Sequence, residues 1–337
     1  MIESSLPQSD TVALPSFGQR ARSVAGYGVG TALMMITPLL VFVPAALFHC
    51  AMRNGRRAAW VAFLIATGLA ALYSAQVARI SPPGPAVNMA YTLFLGMVFS
   101  VALPAMLTVP LVERGEKFGN VVVFALAGGA VGLGLTEILM RTFADFSPNA
   151  QHVVQWHEQA AQMMQIYRSA NAGADVMRFA QQFWQYGAQI LPALFLGHIA
   201  VVFVLSLMMF ATFAGAQQAQ TAHAYLFRNF ALPEWLLFGF VLGGLTPVTT
   251  GVVQKVAANV LALIVFLYLL QGLAIFRAMV ASAGVGILGA TFAIVMLVML
   301  SLTGVGLLLL VVAGLFDPFF DFRKLKRKDD SHESHTD

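Results

Sequence analysis

Residues 261–270 read LALIVFLYLL, ten uncharged, largely aliphatic positions with no alternation of polar and apolar side chains. They sit inside an apolar run, 253–280, that exceeds the ~18–20 residues needed to cross a bilayer core. Backbone groups in lipid must be satisfied within their own segment, so the run is read as a helix. A transmembrane strand would alternate over about ten residues, which this stretch does not. Comparable runs lie at 24–52, 58–78, 88–112, 119–140, 187–213, 234–250 and 285–316. Only 10% of the 337 residues are charged and 59% are hydrophobic, whereas a soluble domain carries roughly 25% charge. The fold class follows: an all-α, polytopic integral membrane bundle of about 8–10 membrane segments.

The net charge of +4 does not point to nucleic acid. Five of the nineteen Lys/Arg fall in 323–328, directly after the last apolar run, where basic residues anchor a chain to anionic lipid. Cys50 is the single cysteine, which excludes an intramolecular disulfide and a cysteine metal cluster. Residues 1–19 are polar with no h-region, so they read as a disordered tail rather than a cleaved signal. The membrane domain is placed at 20–322, and 323–337 is a basic, then polar, tail. His332 and His335 are too few for a metal tract.

Counting Lys and Arg decides between topologies. Eight simple crossings would put Arg53, Arg56, Arg57, Arg114 and Lys117 opposite the C-terminal basic cluster, against the positive-inside rule. Two runs carry internal break signals: Thr37-Pro38 in 24–52, and Ser301 to Gly304 in 285–316. If each is a hairpin of two short helices, ten segments result. Fourteen basic residues then share the cytoplasmic side with both termini, and five (Arg79, Arg141, Arg168, Arg178, Lys255) lie outside. This model is preferred, with breaks near Pro38 and Thr303, in a bacterial cytoplasmic membrane.

Residues 142–186 form the one sizeable extramembrane insertion. Ser147-Pro148 is a cap followed by a first-turn proline. Val153, Trp156, Ala160, Met163 and Tyr167 recur at helical spacing. Asp175 opens a second helix with Val176, Phe179, Ala180 and Phe183 on one face. Two amphipathic helices, 148–169 and 175–186, are expected on the outer side, flat on the headgroups or over the mouth of the bundle.

No catalytic signature, cofactor motif or metal-binding spacing is present: His152 and His157 are five apart rather than four. The pairs Gly128/Gly132 and Gly239/Gly243 read as helix-packing sites. Polar residues inside spans are better leads, because burying them is unfavourable unless they are paired or face water. Glu137 has Arg141 at i+4; Lys255 and Asn259 share that spacing; Asn88 and Tyr91 open another helix on the same side. These six are the candidate substrate-binding set, converging on an outward pocket. Gln271 is expected to bond between helices and His198 to be a packed core residue. Asp317 is expected to cap a helix starting at Pro318. Asp317 or Asp321 is expected to pair with Arg53, Arg56, Arg57 or Arg277, and Arg323 completes the closing motif.

The C-terminal third carries a likeness. Leu232-Pro233-Glu234-Trp235, then Asn259, then Gln271-Gly272, and the closing Gly314-Leu315-Phe316-Asp317-Pro318-Phe319-Phe320-Asp321-Phe322-Arg323-Lys324 resemble the YybS-like family of bacterial membrane proteins, a domain of unknown function. That family is similar to the S components of energy-coupling-factor vitamin transporters. The resemblance implies a membrane module that binds a small molecule from outside and docks on an ATPase partner subunit through small residues of its first helix, where Ala21 and Ala25 have the spacing. The chain departs from S components in its length, its extra C-terminal helices and the 142–186 insertion.

Three functions remain: a small-molecule transporter or substrate-binding membrane subunit, a non-transporting scaffold or regulator, and a lipid-modifying membrane enzyme. The first is preferred. Its expected partners are membrane lipids, a small-molecule ligand and a membrane or ATPase subunit.

Overall fold

A computed structural model describes residues 17–81, 84–215, 218–284, 286–302 and 304–323. The fold is an all-α membrane bundle, with no strand among the described residues. Four helices are long and apolar enough to cross a bilayer unbroken: α3 (Arg56–Ile80), α6 (Phe118–Ala144), α9 (Leu191–Phe213) and α12 (Gly251–Ser282). A fifth span, Val87–Glu113, joins α4 (Pro85–Met97) to α5 (Leu103–Glu113) through a π turn at Val98–Ala102. Pro104 has no N–H to give the carbonyl four residues back, and its ring would crowd that turn; the wider π turn absorbs both effects. The widened turn packs on α6, where a Cβ on Gly132 would lie 2.1 Å from the Phe99 carbonyl oxygen. Gly128 faces Pro104, so this glycine pair is a close-approach site between helices.

The first hydrophobic run is broken. α1 (Phe17–Met35) is followed by a 3-10 turn, Pro38–Phe42, and then α2 (Val43–Asn54). The Thr37 hydroxyl accepts from the Leu39 amide and donates to the Leu33 carbonyl, closing one helix and opening the turn. Asn54 donates to Ser23 at 3.4 Å, so α1 begins and α2 ends on the same face. α1 starts at Phe17, so the N-terminal tail is shorter than 1–19; its remainder lies outside the described residues.

Arg56 at the start of α3 pairs with Glu113 at the end of α5, which places both on that face. α3 has 25 residues and rises ~1.5 Å per residue, so Arg79 lies at the far face. α6 climbs to the far face as well. There the insertion forms α7 (Pro148–Ser169) and α8 (Ala174–Gln189), opposite the Arg53–Arg57 turn. Ser147 caps α7 as its sequence requires, accepting from the Ala150 amide at 3.1 Å. Trp156 closes the α7–α8 hairpin by donating to the Trp184 carbonyl at 2.8 Å. Of the apolar face of α8, Ala180 is buried, while Val176, Phe179 and Phe183 are exposed, Phe179 by 70%.

α9 returns to the basic face, where α10 (Ala219–His223) leads into a loop around Phe227–Asn229. Phe118, Phe210, Tyr225 and Phe230 stack edge to face there. The stretch 234–250 is not a continuous span. α11 (Leu236–Gly243) is eight residues long, followed by a 3-10 turn at Thr246–Val248. Gly243-Gly244, Pro247 and the neighbouring threonines stop the helix that its hydrophobicity alone would allow. Gly239 and Gly243 seat α11 on Ile264 and Leu261 of α12.

α13 (Ile287–Leu302) and α14 (Val305–Phe320) form the second broken run. Their segments 291–301 and 305–320 meet at 108°, with Gly304 at φ +76°. Thr303 lies outside the described residues. α14 crosses α12 at backbone distance: a Cβ on Gly272 would stand 2.0 Å from the Leu310 carbonyl oxygen, and one on Gly314 2.2 Å from that of Tyr268.

At this crossing the closing motif differs from its sequence expectation. Asp317 is in the last turn of α14, not at the cap of a new helix; Pro318 lies within α14, and Asp321 is the left-handed residue that ends it. Asp317 pairs with Arg323 rather than with Arg53, Arg56, Arg57 or Arg277. The reversal at Asp321 folds Arg323 back over α14, where its side chain is only 2% exposed. Arg323 also donates to the carbonyls of Arg228 (3.1 Å) and Phe230 (2.8 Å). Gln271 completes the latch: its carbonyl accepts from the Leu232 amide at 2.9 Å and its amide donates to Asp317 at 3.2 Å. Arg323 is thus part of the folded domain rather than of the tail, and residues 324–337 lie outside the described set. Residues 23 and 323 end on the same face.

Candidate functional site

The six residues expected to bind substrate lie toward the far face, and Glu137 and Asn259 among them are fully engaged. One Glu137 carboxylate oxygen accepts from Arg141 and from the Ser147 hydroxyl, both at 2.6 Å; the other accepts from the Asn149 amide at 3.0 Å. The carboxylate therefore holds the first turn of α7, where free amides and the helix dipole favour an anion. Asn259 does the same for the other end of the insertion. Its amide donates to the carbonyls of Gln189 (2.9 Å) and Lys255 (2.8 Å), and its oxygen accepts from the Ala193 amide at 3.0 Å. Glu137 and Asn259 are the two clamps of the α7–α8 hairpin. Lys255 is exposed on α12, and Asn88 and Tyr91 are half-buried in the first turns of α4. The His198 ring, expected in the core, is exposed on α9.

His152 of α7 rests on Phe195 of α9, with ring centroids 4.7 Å apart. Burial pushes its pKa below 6.5, against the opposing effects of a Gln155 hydrogen bond and the Glu137 charge.

A different set of polar residues surrounds empty space. Between α1, α2 and the end of α9 lies a cavity of about 870 Å³. α1 lines it with Ser23, Tyr27 and Thr31, one helical turn apart, and α2 with His49 and Arg53. The face end carries Ser23, Arg53 and Gln218; the deep end carries Met34 and Phe42; Met209 and Phe213 close the α9 side. Gly26 and Gly30 keep it open, with no atom within 4 Å of where a Cβ would stand on either. The cavity opens on the basic face, opposite the pocket that the sequence led us to expect.

Two atoms in this lining are buried without a hydrogen-bond partner, Thr31 Oγ1 and His49 Nε2. Thr92, Thr136 and Thr212 each return their hydroxyl to the carbonyl four residues back, as helical threonines do; Thr31 does not. Thr67, Ser100 and Asp317 also hold a buried atom without a partner, but none of them lines this cavity. A buried polar atom left unpaired costs about 1–3 kcal/mol. Two in one cavity therefore mark a place built for a polar occupant. Among the described residues, no three His, Cys, Asp or Glu side chains lie close enough together to hold a metal.

The signal for this site was in the sequence. Ser23, Tyr27 and Thr31 form a polar stripe at i, i+4, i+8 on an otherwise apolar helix, and His49 and Arg53 repeat the spacing on the next. Charged residues near the far face drew attention away from it.

A family described as "Predicted membrane protein (DUF2232)" matches residues 29–318. No curated protein and no solved structure matches the chain.

Proposed function

The chain belongs to the DUF2232 family of predicted membrane proteins, and from that footing we propose that it is a small-molecule-binding membrane subunit, a transporter or its substrate-binding component. The observation that carries this reading is the cavity between α1, α2 and α9 with Thr31 Oγ1 and His49 Nε2 unpartnered in its lining. A scaffold that only packs against a partner has no use for two unsatisfied polar atoms around about 870 Å³ of space. The volume falls in the ~300–1,000 Å³ range of small-molecule sites.

Sidedness comes from charge. Arg20, Arg22, Arg53, Arg56, Arg57, Arg114, Lys117 and Arg228 cluster toward one face, which the positive-inside rule makes cytoplasmic. In a bacterial inner membrane the cavity then opens inward, with both ends of the chain on the same side. This departs from the outward capture implied by the likeness to S components. The YybS-like kinship and an ATPase partner rest on that likeness alone.

The test is Gly30→Leu. The new side chain projects into the cavity without meeting a neighbour, and leucine favours a helix over glycine by about 0.5–1 kcal/mol, so the protein should fold. Native mass spectrometry of the purified wild type should show a co-purifying small molecule, and Gly30→Leu should lose it. An adduct retained by Gly30→Leu, or a wild-type protein carrying only water in this cavity, would overturn the reading.

A further inference from the structure

The charge and polarity of the cavity specify its occupant more closely. Among the described residues three arginines are paired with a carboxylate, Arg56 with Glu113, Arg141 with Glu137 and Arg323 with Asp317, and Arg53 is one of those that are not. It stands at the cavity mouth. Among the described residues the lining contains no carboxylate, and Arg53 is its one permanent charge. The polarity is graded along the axis. Ser23, Arg53 and Gln218 lie at the face; His49 is one turn deeper than Arg53, ~6 Å along the helix; Met34 and Phe42 lie beyond. The space is far larger than a simple inorganic anion fills, and its inner walls are apolar.

We infer that the cavity takes an acidic amphipath: a molecule with one anionic group held by Arg53, hydrogen-bonding groups one to two turns deeper that satisfy His49 and then Thr31, and an apolar chain against Met34, Phe42, Met209 and Phe213. This rests on the cavity being the binding site, as proposed above. A guanidinium binds a phosphate or carboxylate with two parallel hydrogen bonds, which a neutral headgroup cannot supply. The spacing of anion, hydroxyl or ester, and chain is that of a single-chain acidic lipid. Of the two helices only α1 presents an outer apolar surface, with Val29 and Leu33 exposed, so a lipid chain would approach past α1; α2 is buried in the bundle.

Three probes of related structure separate the contributions: 1-oleoyl lysophosphatidate, 1-oleoylglycerol, which keeps the chain and hydroxyls without the anion, and glycerol 3-phosphate, which keeps the anion without the chain. Binding is titrated to the full-length protein in a neutral detergent by native mass spectrometry. Wild type should hold lysophosphatidate at least tenfold more tightly than either relative. Arg53→Gln should weaken lysophosphatidate about tenfold or more, the loss expected for a charge-assisted hydrogen bond, and leave oleoylglycerol unchanged. Arg53 is exposed and has no salt bridge among the described residues, so Arg53→Gln should keep the wild-type melting temperature. Arg53→Lys should recover part of the affinity. If lysophosphatidate and oleoylglycerol bind alike and Arg53→Gln alters neither, while Gly30→Leu blocks both, the cavity stands and the acidic class is wrong. If glycerol 3-phosphate binds as tightly as lysophosphatidate, the site takes a soluble anion and the amphipath is overturned. Lysophosphatidate bound undiminished by Gly30→Leu would overturn the cavity reading itself.

Discussion

Glu137 and Asn259 near the far end of the bundle, and Thr31 and His49 near its basic face, are all polar side chains set in apolar helices. Their surroundings divide them. Both carboxylate oxygens of Glu137 accept hydrogen bonds, and Asn259 makes three. Thr31 Oγ1 and His49 Nε2 make none. The first pair is consumed in fastening α7 and α8 to the membrane helices; the second lies buried in the walls of the cavity between α1, α2 and α9. Within an apolar bundle, then, a polar residue alone does not mark a binding site. Left-over capacity points to one only where it borders a cavity, as at Thr31 and His49 and not at Thr67, Ser100 or Asp317.

The strongest way to break this comparison is to remove the clamps. Glu137→Ala and Asn259→Ala should each destabilise the protein by about 2 kcal/mol, the scale for losing charged or multiple buried hydrogen bonds. Hydrogen exchange should rise near 147–152 in the first and near 189–194 in the second, with the ligand of the α1/α2/α9 cavity still bound. Loss of that ligand with unchanged exchange would return the far face to consideration as the site. Thr31→Val runs the other way. It replaces an unpartnered buried hydroxyl with a methyl of the same shape, so the ligand-free protein should gain about 1 kcal/mol in stability while ligand affinity falls. A destabilised Thr31→Val would mean that the hydroxyl already has a partner. The smallest effect concerns pH. Burial depresses the His152 pKa below 6.5 in the folded state, so the unfolded chain takes up the proton first as pH falls. Stability that His152 contributes is present above pH 6.5 and is lost from there down through its folded pKa. The melting temperature in detergent should decline over that window, and His152→Phe, which keeps the contact with Phe195, should flatten the decline. An equal slope in both proteins would assign the titration elsewhere.

Much of the architecture was legible from local signals. Pro38 and Gly304 announced the two broken runs because proline and glycine act on their own backbone. Ser147-Pro148 announced α7 because capping is settled within one turn. The segment 234–250 misled because hydrophobicity measures affinity for lipid, whereas Gly243-Gly244 and Pro247 decide whether a helix can continue through it. At the candidate site, residue types and spacings could be read but their partners could not. Glu137 was visible as one of an i, i+4 pair with Arg141, yet its bonds to Ser147 and Asn149 exist only once α7 folds back on α6.

What the sequence by itself determined is the class of the chain, its broken runs and the face on which its basic residues gather. These depend on side-chain hydrophobicity, backbone stereochemistry and charge, which act over a few residues. Tertiary structure alone decided which polar groups are spent and which are spare. Asp317 meets Arg323 through a left-handed turn at Asp321, and Gln271 reaches both Leu232 and Asp317 across 39 and 46 residues. Thr31 and His49 keep unpartnered atoms in the wall of one cavity because the three helices around it bring neither a partner. Hydrogen-bond satisfaction is a property of pairs brought together by packing, and no single position in the chain carries it.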